Sequence, residues 1–285
     1  MASSTSISVD KLARLLGRPD CPDLIDVRTE EDFAADPRLV PGARRRSHAD
    51  VAGWGCELRG RRAVVICQKG RKLSEGVAAW LRHEGATAEI LEGGISAWAA
   101  RGQPMTPLAI LPPRDGAGRT VWVTRARPKI DRIACPWLIR RFVDPRAVFL
   151  FAAPSEVLAI GERFGATPFD VDAEGLFWTH RGELCTFDVM VEAFGLSCEP
   201  LDRLARIVRG ADTARLDLAP ECAGLLAVSL GLSRMHSDDL AQLEAGMGLY
   251  DALYRWCRDA ADETHNWPVS QPGRAGAARA GQVSA

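Results

Sequence analysis

At 285 residues, 47% apolar and 26% charged, the chain has ordinary globular composition and enough length for two domains, and no apolar run approaches a bilayer span. A formal net charge of −1 argues against general affinity for nucleic acid or anionic membranes, while leaving local basic clusters able to bind anions. Eight cysteines are scattered without a Cys-x-x-Cys pair, and residues 1–6 lack the basic start and apolar core of a secretory signal, which together predict reduced thiols in a cytoplasm.

In chain order, Val9, Leu12, Leu15 and Leu16 space as a short helix after Ser8. Residues 24–27 read as an apolar strand with Asp26 and Arg28 at its exit. A turn at Pro41-Gly42 precedes Arg44, Arg45 and Arg46, a charge run whose default reading is a solvated face, with oxyanion attraction as the alternative. Residues 64–66 form the predicted central strand. The loop Cys67-Gln68-Lys69-Gly70-Arg71-Lys72 follows, and then an amphipathic helix marked by Leu73, Val77, Trp80 and Leu81. A further strand covers residues 88–91, and Gly93-Gly94 leads into a last helix over 95–100. Strands alternating with helices predict a small parallel sheet covered on both faces.

The chemistry of this region centres on Cys67. A cysteine at the carboxyl end of a parallel strand stands where doubly wound sheets place their ligands. Backbone N–H groups of a tight loop entering a helix converge on an anion, Gly70 lets the loop curl, and Lys69, Arg71 and Lys72 add positive charge. Such surroundings lower a thiol's pKa and make it nucleophilic at neutral pH. The alternative is a buried strand-end cysteine acting as a small hydrophobe.

Cys67-x-x-Gly70-x-Lys72 before a helix resembles the active-site loop of the rhodanese (sulfurtransferase) family. The resemblance extends to Leu24-Ile25-Asp26-Val27-Arg28 with Glu31 and Phe33, to Val40-Pro41-Gly42-Ala43, and to residues 91–98 ending in Ala97-Trp98, and so covers roughly 8–104. It implies Cys67 as the catalytic nucleophile, the loop residues Gln68, Lys69, Gly70, Arg71 and Lys72 as substrate-binding, and Asp26 with Arg28 as a pair bracing the loop; a plain structural ion pair is the alternative for these two. Two departures from the family pattern stand out. The family's Gly-His-Ile-Pro-Gly-Ala turn is Arg38-Leu39-Val40-Pro41-Gly42-Ala43 here, without the histidine. Where many members carry Arg-Ser, this chain has Lys72-Leu73, so the hydroxyl moves to Ser74 and donor preference stays open.

Residues 105–118 are dense in Pro and Gly and read as a semi-rigid linker. Beyond it, residues 121–123 read as a strand and 129–142 as a helix whose Ile130, Ala134, Leu138 and Phe142 share one face, with a kink or late start at Pro136. Asp131, on the edge of that face, needs a partner, most simply an arginine. A strand over 147–151, a helix over 154–164, extended pieces around 169–171 and 177–180, and helices over 201–208, 221–230 and 238–257 follow. Residues 261–285 read as a disordered tail. The predicted fold class is therefore α/β, a small parallel-sheet domain over residues 1–104 followed by an α+β, mostly helical domain over 119–260.

Trp122-Val123-Thr124-Arg125, residues 128–142, Gly182-Glu183-Leu184-Cys185, Arg209-Gly210-Ala211-Asp212 and residues 230–234 resemble the C-terminal domain of ChrB-type chromate-resistance proteins. That resemblance implies a role in the chromate response and supplies no reaction or catalytic residues. Arg125, Arg127, Lys129, Arg132, Arg140 and Arg141 suit oxyanions or, as the default, a solvated face with partners for Asp131. His180, Glu183, Cys185 and Asp188 are a compact set of metal-ligand types with weak spacing, and His236, Asp238, Asp239, Glu244 and Asp251 are another, partly explained by helix capping. No metal and no cofactor is assigned. The expected activity is sulfur transfer from a small donor such as thiosulfate to a thiol or cyanide acceptor through a Cys67 persulfide. The alternatives are a non-catalytic oxyanion or redox sensor, and a chromate-reducing or metal-handling activity in the second domain. No helix-turn-helix with a basic recognition helix stands out, so a nucleic-acid partner is not expected.

Overall fold

The computed structural model describes residues 5–263. The disordered tail expected from residue 261 onward lies, beyond residue 263, outside the described residues. The first region runs β1 (Ser6–Ile7), α1 (Val9–Ala13), β2 (Asp23–Asp26), α2 (Glu30–Ala35), β3 (Arg38–Leu39), β4 (Arg44–Arg45), α3 (Val51–Trp54), β5 (Arg62–Ile66), α4 (Lys72–His83), β6 (Thr87–Leu91), α5 (Gly94–Ala100) and β7 (Thr106–Pro107). Five of these strands form a parallel sheet in the order β1-β6-β5-β2-β4. The run Ala63-Val64-Val65-Ile66 is apolar throughout because a parallel strand covered on both faces has no wet side.

The period of two divides that run between two cores. Leu24, Val64 and Ile66 face one way; Ile25, Val27, Ala63, Val65 and Cys67 face the other, under Trp54 and Leu58 and under Val77, Ala78 and Leu81 of α4. The register pairs Asp26 with Ile66, so the exit of β2 lies beside the residue that precedes Cys67.

The second region runs β8 (Val121–Arg125), α6 (Asp131–Phe142), β9 (Val148–Ala152), α7 (Val157–Phe164), β10 (Thr167–Pro168), α8 (Thr186–Ala193), α9 (Glu199–Asp212), α10 (Cys222–Met235) and α11 (Asp239–Asp259). Its three strands are parallel, in the order β10-β8-β9. Trp137 of α6 packs among Phe142, Phe187, Tyr250 and Tyr254 with ring centroids 5.5–6.4 Å apart, which locks α6 to α8 and α11. The sequence expectations differ in two places. The extended pieces around 169–171 and 177–180 form no strand: single backbone bonds tie Phe169 to Val123 of β8 and Asp170 to Trp178, too few to make a ladder. Nor does Pro136 mark a late start: α6 begins at Asp131 and continues through it.

The leading sheet face and the second region share one hydrophobic cluster. Gly17 is packed tightly against the second region: a Cβ there would meet the Phe142 ring and, at 2.6 Å, Cε1 of Tyr254. Arg258 donates to the Arg14 carbonyl at 3.1 Å. The Pro/Gly-rich segment between the regions is laid down on both. β7 pairs antiparallel with β3, the Leu108 N–H donates to the Pro37 carbonyl at 2.9 Å, and Arg114 reaches the buried Asp144 at 3.1 Å. Among the described residues no helix is long and apolar enough to cross a membrane.

Candidate functional site

Cys67 follows the last residue of β5, and its loop closes onto α4. The loop is shaped by a second one. Gly70 has φ +62°, and a Cβ on it would strike the Leu91 carbonyl and lie 2.8 Å from the nitrogens of Gly93 and Gly94. Gly94 has φ +61°, and its own Cβ would strike the Cys67 carbonyl. With both side chains absent, Ile95 N–H donates to the Cys67 carbonyl at 3.0 Å and Ser96 N–H to the Gln68 carbonyl at 3.2 Å. The Gln68 amide donates to the Ser96 hydroxyl at 3.1 Å.

The thiol itself is buried. Its Sγ accepts the Arg71 N–H at 3.4 Å and lies 3.2 Å from the Ser74 hydroxyl, which also donates to the Arg71 carbonyl at 2.9 Å. One hydroxyl hydrogen serves the carbonyl or a thiolate, so ionisation of Cys67 turns the Ser74 hydrogen toward sulfur. Burial pushes the thiol up, but the Ser74 hydroxyl and the N–H groups of Arg71, Ser74 and Lys69 outweigh it and hold Cys67 below its ordinary value. Lys69, Arg71 and Lys72 are exposed on or close to the loop and form no ion pair among the described residues. Ser74, one of the groups that tune the thiol, is the functional residue that sequence reading placed only as a displaced hydroxyl.

Asp26 and Arg28 make a fully buried ion pair at 2.7 Å. Arg28 also donates to the Asp36 carbonyl at 2.9 Å and the Arg38 carbonyl at 2.6 Å, and sits 4.7 Å over the Phe33 ring. Their hydrogen bonds therefore hold residues 36–38 rather than residues 68–72. Arg44, Arg45 and Arg46 are paired with Asp23, Glu30 and Glu57.

A second polar cluster lies in the second region. Asp131 opens α6 and is 0% exposed. Its partner is not an arginine: Oδ2 accepts the N–H of Thr186 at 2.6 Å and of Phe187 at 3.3 Å, at the start of α8, while Oδ1 has no hydrogen-bond partner. His180 Nε2 lies 3.2 Å from Asp212, 3.4 Å from Asp170 and 3.6 Å from Asp131. Arg125 and Arg132 go to Asp170 instead, at 3.1 and 3.2 Å. Burial, then the charges of Asp212 and Asp170, push Asp131 well above the usual carboxylate range. Hydrogen bonds to Asp170 and Asp212 push His180 up to about 10.

The other groupings suggested by the sequence come apart. Glu183 is exposed, Asp188 accepts the Cys185 N–H and pairs with Arg209 at 3.1 Å, and of that set His180 enters the cluster while the buried Cys185 thiol lies beside Asp131. Asp238 caps α11, Asp239 accepts the Arg127 N–H, Glu244 pairs with Arg140 and Asp251 with Arg141. Arg127 itself binds the carbonyls of Ser233 and His236.

Comparison with known proteins matches this division. Residues 8–101 fit the rhodanese-like domain and residues 122–257 the ChrB C-terminal domain. Over 163 residues the chain is 36% identical to Protein ChrB of Cupriavidus metallidurans, covering 54% of this chain and 46% of that protein, so it spans less than half the length of that relative. Among solved structures, the rhodanese-related protein of Thermoplasma volcanium is 22% identical and covers 35% of this chain and 96% of its own, with a TM-score of 0.31. The rhodanese-like domain protein of Staphylococcus aureus is 26% identical, covers 33% and 90%, and has a TM-score of 0.30. The thiosulfate sulfurtransferase of Pseudomonas aeruginosa is 24% identical, covers 37% and 20%, and has a TM-score of 0.32. The chain is thus similar to a rhodanese-like domain over residues 8–101 and to a ChrB C-terminal domain over residues 122–257.

Proposed function

We propose that the chain is a rhodanese-type sulfurtransferase whose second domain links it to the chromate response. The observation that carries this reading is the sulfur of Cys67, buried at a strand end and held toward its anion by the Arg71 N–H and the Ser74 hydroxyl. Lys69, Arg71 and Lys72 attract a dianionic donor such as thiosulfate. The Cys67 thiolate attacks the outer sulfur; the new S–S bond forms as the old one breaks, and sulfite leaves with that electron pair. The persulfide anion is held by the donors that held the thiolate. A thiolate or cyanide then attacks its outer sulfur, carries it off as a persulfide or thiocyanate, and restores the Cys67 thiolate. Asp26 and Arg28 support the site at one remove, by fixing the exit of the strand beside β5.

A second reading, a sensor that binds an oxyanion or is oxidised at Cys67 without turnover, is favoured by the cluster shared between the sheet and the second region. Mass spectrometry of the full-length chain after thiosulfate treatment separates the two. The expected result is one added sulfur on the peptide containing Cys67, its removal by cyanide with thiocyanate released, and neither event in Cys67→Ala. Thiosulfate binding without added sulfur would leave the sensor.

A further inference from the structure

We propose that Asp131, Asp170 and His180, with Asp212 at the rim beside the imidazole, form a binding site for one divalent first-row cation of the Mn²⁺ or Fe²⁺ class. This site is independent of the Cys67 reading. The four residues come from four separate places: the start of α6, two points of the loop between β10 and α8, and the end of α9. One ligand atom from each of Asp131, Asp170 and His180 falls within 4.8 Å of the others, and Asp212 Oδ2 lies 3.2 Å from the same imidazole nitrogen.

The hydrogen-bond inventory does not close without a further group. Nε2 carries at most one hydrogen, yet three carboxylates converge on it at 3.2–3.6 Å. Two go without that hydrogen. Apart from that convergence, in which Asp131 takes part through Oδ2, the fully buried Asp131 has an Oδ1 with no hydrogen-bond partner. An orphaned oxygen on a buried carboxylate is a costly arrangement that native proteins rarely leave standing. A divalent cation among these atoms binds several oxygens at once, as a proton does not.

The surroundings orient the oxygens as outer contacts do in metal sites. Asp131 Oδ2 is held by the two α8 amides, Asp170 Oδ2 by Arg125 and Arg132, and Asp170 Oδ1 by the Thr186 hydroxyl at 3.1 Å. The His180 and Asp212 side chains are 41% and 19% exposed, which opens one side of the cluster to solvent for entry. Two carboxylates and one imidazole, with the Asp212 carboxylate beside them, form an oxygen-rich set suited to Mn²⁺ or Fe²⁺ rather than to a soft, thiolate-seeking ion. The bound ion would cross-link α6, the loop between β10 and α8, and the end of α9.

The test uses the chelator-treated full-length chain and Mn²⁺ alone as probe, with free Mn²⁺ read by electron paramagnetic resonance and stability by thermal midpoint. We expect one saturable site per chain and a midpoint that rises with Mn²⁺. His180→Gln and Asp212→Asn, both at the open side, should keep the wild-type circular dichroism spectrum, weaken Mn²⁺ at least about tenfold and lose the rise in midpoint. If His180→Gln does not fold, Asp212→Asn decides alone. A folded wild type with no saturable Mn²⁺ site, or variants that bind Mn²⁺ as the wild type does, would overturn the proposal.

Discussion

Cys67 and Asp131 are both buried acids set against the N–H groups that open a helix, α4 for one and α8 for the other, and their pKa values are shifted in opposite directions. Burial opposes the anion in each. At Cys67 the Ser74 hydroxyl and the N–H groups of Arg71, Ser74 and Lys69 converge on a single sulfur and overcome it. At Asp131 two amides share one oxygen, the other oxygen has none, and Asp170 and Asp212 add like charge. A helix start alone therefore does not decide whether a buried group ionises; the balance of donors against neighbouring carboxylates does.

The change expected to break this comparison most severely is Gly70→Val. It puts a β-branched residue at φ +62° and drives its Cβ against backbone atoms of Leu91, Gly93 and Gly94, none of which can rotate away. Displacing the loop donors should slow single-turnover persulfide formation about a hundredfold. A normal rate would mean that the loop amides do not position the sulfur.

A smaller effect should follow on the other side. Asp131→Leu leaves the Thr186 and Phe187 amides buried without an acceptor, so chelator-treated protein should lose about 1–3 kcal/mol in urea unfolding. Asp131→Asn keeps an acceptor and removes a charge, so it should lose less. Equal stability of the leucine variant and the wild type would show that these amides do not depend on Asp131.

The subtlest change is Ser74→Ala. Because Cys67 is held below the ordinary 9.0, its alkylation by iodoacetamide should reach half-maximal rate below that pH. Removing the hydroxyl takes a donor from the thiolate, so the midpoint should move up and the rate at neutral pH fall. An unmoved midpoint would leave the tuning to the backbone amides alone.

The amino-acid sequence alone determined the parts whose partners are near in the chain. The strand at 64–66 was legible because a strand covered on both faces writes a continuous apolar run, and those at 24–27 and 88–91 because one charged residue, Asp26 or Glu89, interrupts an otherwise apolar stretch. The longer helices were legible because their buried faces recur every three or four residues. The Cys67 loop could be read because its sulfur, glycine and cations are contiguous. The two-residue strands β1 and β4 are too short to write any period. The contact of Gly17 with Phe142 and Tyr254, and the burial of the linker against both regions, left no local mark. The tertiary structure alone decided the Asp131 cluster. Sequence proximity grouped His180 with Glu183, Cys185 and Asp188, yet a loop and helix geometry turn those three to solvent, core and Arg209. Asp131, Asp170 and Asp212 reach His180 only after α6, α8 and α9 pack. The reason is that spacing along a chain records contacts within one element, whereas a site assembled from three separate segments is fixed by how those elements close on one another.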